Sequence, residues 1–120
     1  MALVVYEDLL PGTQLVNRLQ DLKYRVRAIT DVGTLEATAR QEKPMVVLAD
    51  VVSGKSDVCA AIARLKASPD TRHIPVIAFA DESAEQLQAS ARNAGAALVV
   101  SDAAILSHLS QFLDQALQLD

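Results

Sequence analysis

Five short apolar runs recur along this chain, each separated from the next by a stretch long enough for one helix. They are Leu3 to Tyr6, Tyr24 to Ile29, Met45 to Ala49, Ile74 to Phe79 and Ala97 to Val100. Strands joined through helices pair in parallel, with the helices packed on the faces of the sheet. The third run, MVVLA, is continuous and suits a strand buried on both faces. The second, YRVRAI, alternates with period two and suits an edge strand with one face in water. The expected fold is α/β: a doubly wound, five-stranded parallel sheet of flavodoxin-like strand order 2-1-3-4-5 with five helices. Residues 1–120 are expected to form a single domain.

The intervening segments carry helix signals. Pro11 lies near the start of the first, Thr13 is its expected cap, and Leu15, Leu19 and Leu22 recur at helical spacing. Asp31 is the expected cap of the second, with Leu35 and Ala39 on its apolar face. Ser56 or Asp57 caps the third, which carries Val58, Ala61, Ile62 and Leu65. Ser83 and Gln86 have capping-box spacing for the fourth, and Gly95 suits its end. The fifth spans about Ala103 to Leu117, with Leu106, Leu109, Leu113 and Leu117 on one stripe.

Net charge is −4, and there are only two Tyr, two Phe and no Trp, so neither a basic footprint nor a stacking surface for nucleic acid is expected. No apolar run is long enough to span a bilayer, and no basic segment precedes the first one, so no membrane association is expected. The single cysteine, Cys59, has no internal disulfide partner. The expected location is cytoplasmic.

In such sheets, function gathers at the carboxyl ends of the strands, where the first and third lie side by side. The first run leads into Tyr6, Glu7 and Asp8, and the third leads into Asp50. Convergent carboxylates suit Mg²⁺, which takes a few carboxylates plus waters. A carboxylate there also has the chemistry of a nucleophile toward a phosphoryl donor.

LVVYED at residues 3–8, KPMVVLAD at 43–50, HIPVIAFA at 73–80 and NAGAALVV at 93–100 stand in order across the whole chain. Together they resemble the strands of bacterial response-regulator (CheY-like) receiver domains. The resemblance implies a signalling module of a two-component phosphorelay, not an enzyme, partnered by a histidine kinase or other signalling protein. It also admits an attached output domain or a homodimer. Asp50 falls at the phosphoacceptor position. Glu7, Asp8, Asp50 and the backbone carbonyl of Val52 fall where the family binds Mg²⁺. Tyr6 stands where the other acid of the family's pair is usual, so Mg²⁺ would bind weakly or not at all.

The departures lie at the switch positions. Ala80 replaces the Thr or Ser that ends the family's fourth strand, and Asp102 replaces the Lys after the fifth. Val99 replaces the aromatic residue of the fifth strand, and Lys55 offers a relocated cation in the loop after Asp50. An aspartyl phosphate adds negative charge to an acidic crevice, and a hydrogen bond to a charged group contributes roughly 1.5–3 kcal/mol. Losing both donors weakens or abolishes phospho-switching. The expected mode is therefore protein–protein contact, through a face carrying Leu87, Ile105 and Phe112.

Other readings compete. The chain is alternatively a phosphorylatable receiver using Asp50 with Mg²⁺, or a metal-dependent phosphate-handling enzyme on the same fold. Flavin binding is disfavoured by short, aromatic-poor loops. ADVVSGKS at residues 49–56 has the end of a P-loop, but Ala49 stands where its first glycine belongs. Asp102 also reads as a helix cap, Cys59 as a buried small hydrophobe, and His73 and His108 as surface residues.

Overall fold

The computed structural model describes residues 2–6, 9–52 and 57–118, and for 9–12 and 118 the backbone alone. Five strands form one parallel sheet: β1 (Ala2–Val5), β2 (Val26–Ile29), β3 (Val46–Asp50), β4 (Val76–Ala80) and β5 (Leu98–Ser101). Their order is β2-β1-β3-β4-β5, as the alternation of elements predicts. Six α-helices connect or follow them: α1 (Leu9–Asp21), α2 (Leu35–Glu42), α3 (Val58–Ala67), α4 (Glu85–Ala94), α5 (Asp102–Ser107) and α6 (Leu109–Gln118). A 3₁₀ turn, Val32–Thr34, leads into α2.

Two cores flank the sheet, and the strands feed them alternately. Leu3, Val5, Val47, Ala49, Val76, Ala78 and Ala80 face the side covered by α2, α3 and α4. Ala2, Val4, Val46, Leu48, Ile77 and Phe79 face the side covered by α1, α5 and α6. Every residue of β1, β3 and β4 is buried, Asp50 included. The edge strands differ: β2 is half open and all of β5 is half-buried.

Several local expectations are corrected. The last helical segment is two helices, broken at His108, whose N–H donates back to the Ala104 carbonyl while its φ and ψ leave the helical range. Ile105, Leu109, Leu113 and Ala116 form the buried stripe, and Leu106 lies beside it, half-buried. α1 begins at Leu9, so Thr13 lies inside it rather than capping it. α4 begins at Glu85 after Ala84, without a side-chain cap. Ser83 instead donates its N–H to Asp81, and Gln88 donates to the Asp81 carbonyl. Asp31 and Asp57 do cap their segments, accepting from the Gly33 and Ala60 N–H groups.

Gly95 ends α4 at φ +112, where its N–H satisfies the last carbonyls of the helix. A Cβ there would lie 2.8 Å from Cγ of Lys66. Lys66 cannot retreat cheaply, because its ammonium donates to the Ile74 carbonyl at 2.6 Å and to the Arg72 carbonyl at 3.2 Å. Gly95→Ala therefore combines backbone strain with a clash, a loss of about 1–3 kcal/mol. The expected thermal midpoint falls by roughly 5–10 °C, measurable by circular dichroism; an unchanged midpoint would show that the α4–β5 turn relaxes freely.

Candidate functional site

The carboxyl ends of the strands gather the residues of interest at one edge of the sheet. Asp50, the last residue of β3, is only 5% exposed. Its Oδ1 accepts the Val52 N–H at 3.0 Å, tying the carboxylate to the loop that follows. Val51 is held beside β4, its N–H donating to the Phe79 carbonyl. Val52 itself turns outward and is exposed. Tyr6 is buried against the α1 and α6 side, and its N–H donates to the Ile29 carbonyl. Glu7, Asp8 and Lys55 lie outside the described residues.

The neighbouring tips belong to β4 and β5. Ala80 is fully buried and is the register partner of Ser101. The cap of α5 is Ser101, whose Oγ accepts the Ala104 N–H at 3.1 Å; Asp102, the expected cap, is the first helical residue instead. A shallow pocket of about 310 Å³ opens here, lined by Asp81, Glu82, Ser101, Asp102 and Ala103. Oδ1 of Asp102 is buried, with no hydrogen-bond partner among the described residues. Burial, and then the carboxylate of Asp81, push the Asp102 pKa above the ordinary carboxylate range. The acidic neighbours Asp81 and Glu82 were missed in the sequence, although their place directly after the fourth apolar run marks them as strand-tip residues.

Among the described residues, no three His, Cys, Asp or Glu side chains are grouped to hold a metal ion. Asp50 and the Val52 backbone are the described half of the expected Mg²⁺ donor set. One buried carboxylate on a bending loop suits a hard cation, and a complete set would need Glu7 and Asp8.

The proposed contact face is divided. Leu87 on α4 is exposed. Ile105 is fully buried, because α5 turns that side chain into the core, so it is withdrawn from the face. Phe112 is half-buried against the same core and meets the His108 ring edge-on at 6.2 Å. The rings of His73 and His108 belong to exposed residues, as expected. No described helix is long and apolar enough to cross a membrane.

No family model matches the sequence, and no curated protein matches it either. Solved structures do. The receiver domain of NtrX from Brucella abortus superposes with a TM-score of 0.87 at 20% identity, over all of both chains. A receiver domain of a sensor histidine kinase from Pseudomonas aeruginosa, with magnesium coordinated in its active-site cleft, gives 0.87 at 20% identity, over 98% of this chain and 96% of that one. The receiver domain of a signal transduction histidine kinase from Syntrophus aciditrophicus gives 0.84 at 20% identity, covering 98% and 89%. This chain has the receiver fold. Within the receiver fold, the edge just described, at the tips of β1, β3, β4 and β5, is the one that holds Asp50, Ala80 and Asp102.

Two measurements probe this neighbourhood. A carboxyl group whose pKa is raised by folding binds its proton more tightly in the native state. Its contribution to stability is present in acid and lost as pH rises through the native pKa. Asp102→Asn should accordingly stabilise the protein near pH 7, by at most about 1 kcal/mol because the side chain is only half-buried. The gain should vanish in acid, where both proteins carry a neutral group; a gain independent of pH would assign the effect to something other than ionisation. Cys59 is tucked between α3 and α4, with Sγ 3.9 Å from the Leu87 carbonyl. Burial and then Asp57 push its thiol pKa up. Native protein should react with iodoacetamide at least about tenfold more slowly than denatured protein, and equal rates would place the thiol in solvent.

Proposed function

We propose that this protein is a receiver-like module of a two-component signalling pathway, acting chiefly through protein–protein contact, with weak or absent phospho-switching. The observation that carries the reading is the pairing at the tips of β4 and β5. A methyl group, Ala80, ends the strand next to the buried Asp50 strand end, and Asp102, whose Oδ1 has no hydrogen-bond partner among the described residues, follows the strand beyond it. A receiver fold with Asp50 at the phosphoacceptor position would offer a phosphoryl group neither a hydroxyl at position 80 nor an ammonium at position 102, and the hydroxyl of Ser101 is engaged as the cap of α5. Asp102, when ionised, would repel the phosphoryl group.

The switch would be uncoupled for the same reason. A ligand shifts a two-state equilibrium only through contacts that differ between the states. Ala80 has nothing to draw toward a phosphate, and Val99, half-buried on the α2–α4 side, has no ring to move. Partners would be a histidine kinase or another signalling protein, contacted through the half-buried β5 and the exposed Leu87 of α4. The module would work in the cytoplasm by binding rather than by catalysis, alone, as a homodimer or joined to an output domain.

The second reading, a phosphorylatable receiver, draws on the burial of Asp50 and on the magnesium held by the Pseudomonas aeruginosa neighbour. Mg²⁺, when bound, would supply positive charge beside Asp50. The Asp50, Glu7 and Asp8 side chains and the Val52 carbonyl would hold it. Oδ1 of Asp50 accepts the Val52 N–H, which ties the carboxylate to the same residue whose carbonyl would bind the ion.

Incubation with Mg²⁺ and acetyl phosphate, read by intact mass with Asp50→Asn as control, separates the readings. The expected result is little or no Asp50-dependent adduct. Restoring both donors with Ala80→Ser and Asp102→Lys should raise the adduct roughly tenfold or more, the worth of a charge-assisted contact. Efficient phosphorylation of the unaltered protein would instead establish the second reading.

A further inference from the structure

The described residues polarise charge along the strand direction. β2 is preceded by Lys23 and Arg25, β3 by Lys43, β4 by Arg72 and β5 by Arg92. The same strands end in, or run into, Asp31, Asp50, Asp81 and Asp102. The amino edge of the sheet therefore carries these cations interleaved with Asp21, Glu42 and Asp70, while the carboxyl edge of the same strands carries acids.

Two lysines of the amino edge sit in backbone that favours glycine. Lys23 has φ 72, and Lys43 has φ 51 and ψ 59 as the left-handed cap of α2. They are the only non-glycine residues at positive φ among the described ones. Glycine occupies the comparable place before β5, at Gly95. A Cβ-bearing residue in this conformation costs stability that glycine would spare. Neither lysine forms a salt bridge among the described residues.

Lys43 lines a groove of about 610 Å³ with Arg40, Pro69, Asp70, His73 and Ile74. The groove lies between the end of α2 and the turn that enters β4. Arg40 is paired with Asp70 at 3.6 Å and Glu36 at 3.7 Å and lies 3.4 Å from Ser68, which leaves Lys43 as the groove's cation outside a salt bridge among the described residues. A cavity of this size accommodates a short peptide stretch or a few side chains.

We propose that this groove, at the end of the sheet opposite Asp50, docks an acidic segment of a partner protein, with Lys43, its cation outside any salt bridge among the described residues, as the charge contact. Complementary charge selects such a segment and speeds its encounter. The groove is concave with apolar Pro69 and Ile74 in its wall, which fits side chains better than a flat bilayer. Asp70 interrupts the cations, and no Phe, Tyr or Trp ring lines the groove, which disfavours a nucleic-acid backbone.

The test uses a fluorescein-labelled Asp/Glu-rich peptide, with its Asn/Gln counterpart as control, by anisotropy at low salt. Binding of the acidic peptide alone is expected. Lys43→Gly should weaken it about two- to fivefold, as for loss of one exposed ion pair, while leaving the thermal midpoint equal or higher because the backbone strain is relieved. Lys43→Asn, which also tolerates left-handed backbone, provides a second neutral variant, and Lys43→Arg should retain binding. Amide shifts should fall at residues 40–43 and 69–74. Unchanged affinity in both neutral variants, no binding at low salt, or shifts confined to the Asp50 edge would overturn the proposal. So would tighter, Lys43-dependent binding to phosphatidylserine vesicles or single-stranded DNA.

Discussion

Burial of both faces of a parallel sheet is the constraint on which the rest of this structure depends. The three central strands, β1, β3 and β4, have no solvent face at all. Their side chains must therefore fit two cores at once, and successive residues serve opposite sides. That requirement explains the β-branched and small residues of VVLA and VIA, and the near absence of large rings in the sheet. Phe79 is the exception, taking the space between β4 and the α5–α6 side.

The same burial sets the chemistry at the strand tips. A charged residue can end a doubly covered strand only where the loop supplies a partner. Asp50 meets that condition through the Val52 N–H. Asp102 meets it less well, since one oxygen is enclosed without a donor among the described residues and Asp81 adds a like charge. Among the described residues, the tips of β3, β4 and β5 gather the carboxylates Asp50, Asp81 and Asp102. A phosphoryl group entering there would meet like charge, which is the ground of the contact-based role proposed above. At the opposite edge, α1, α2, α3 and α4 end with cations near their carbonyl termini, a favourable placement for the helix dipole. The left-handed lysines exceed what that dipole requires, since glycine would end the same helices with less strain.

Much of the architecture was legible because period and punctuation are local. Continuous MVVLA and alternating YRVRAI distinguish a central strand from an edge strand without reference to any neighbour. Asp31, Asp57 and Gly95 mark helix ends through short-range hydrogen bonds or a φ value that the chain itself dictates. The misreadings share a cause. Ser83–Gln86 has capping-box spacing, but Asp81 holds this turn and starts α4 later. Ile105 was assigned to a contact face because the last segment has apolar residues on more than one side. The break at His108 re-phases that segment, so that α5 and α6 each aim one stripe inward.

The sequence by itself determined the alternation of strands and helices, the strand order that this alternation favours, and the acids that follow the strands. Those features follow from residue spacing and backbone preference, which act over a few neighbours. Only the tertiary structure decided which acids meet, because Asp81 and Asp102 are brought together by the pairing of β4 with β5. Tertiary packing also decided that Ile105 is core, and that Arg40, Lys43 and His73 share one groove. These depend on distances between elements remote in the chain, set by the packing of helices over the sheet.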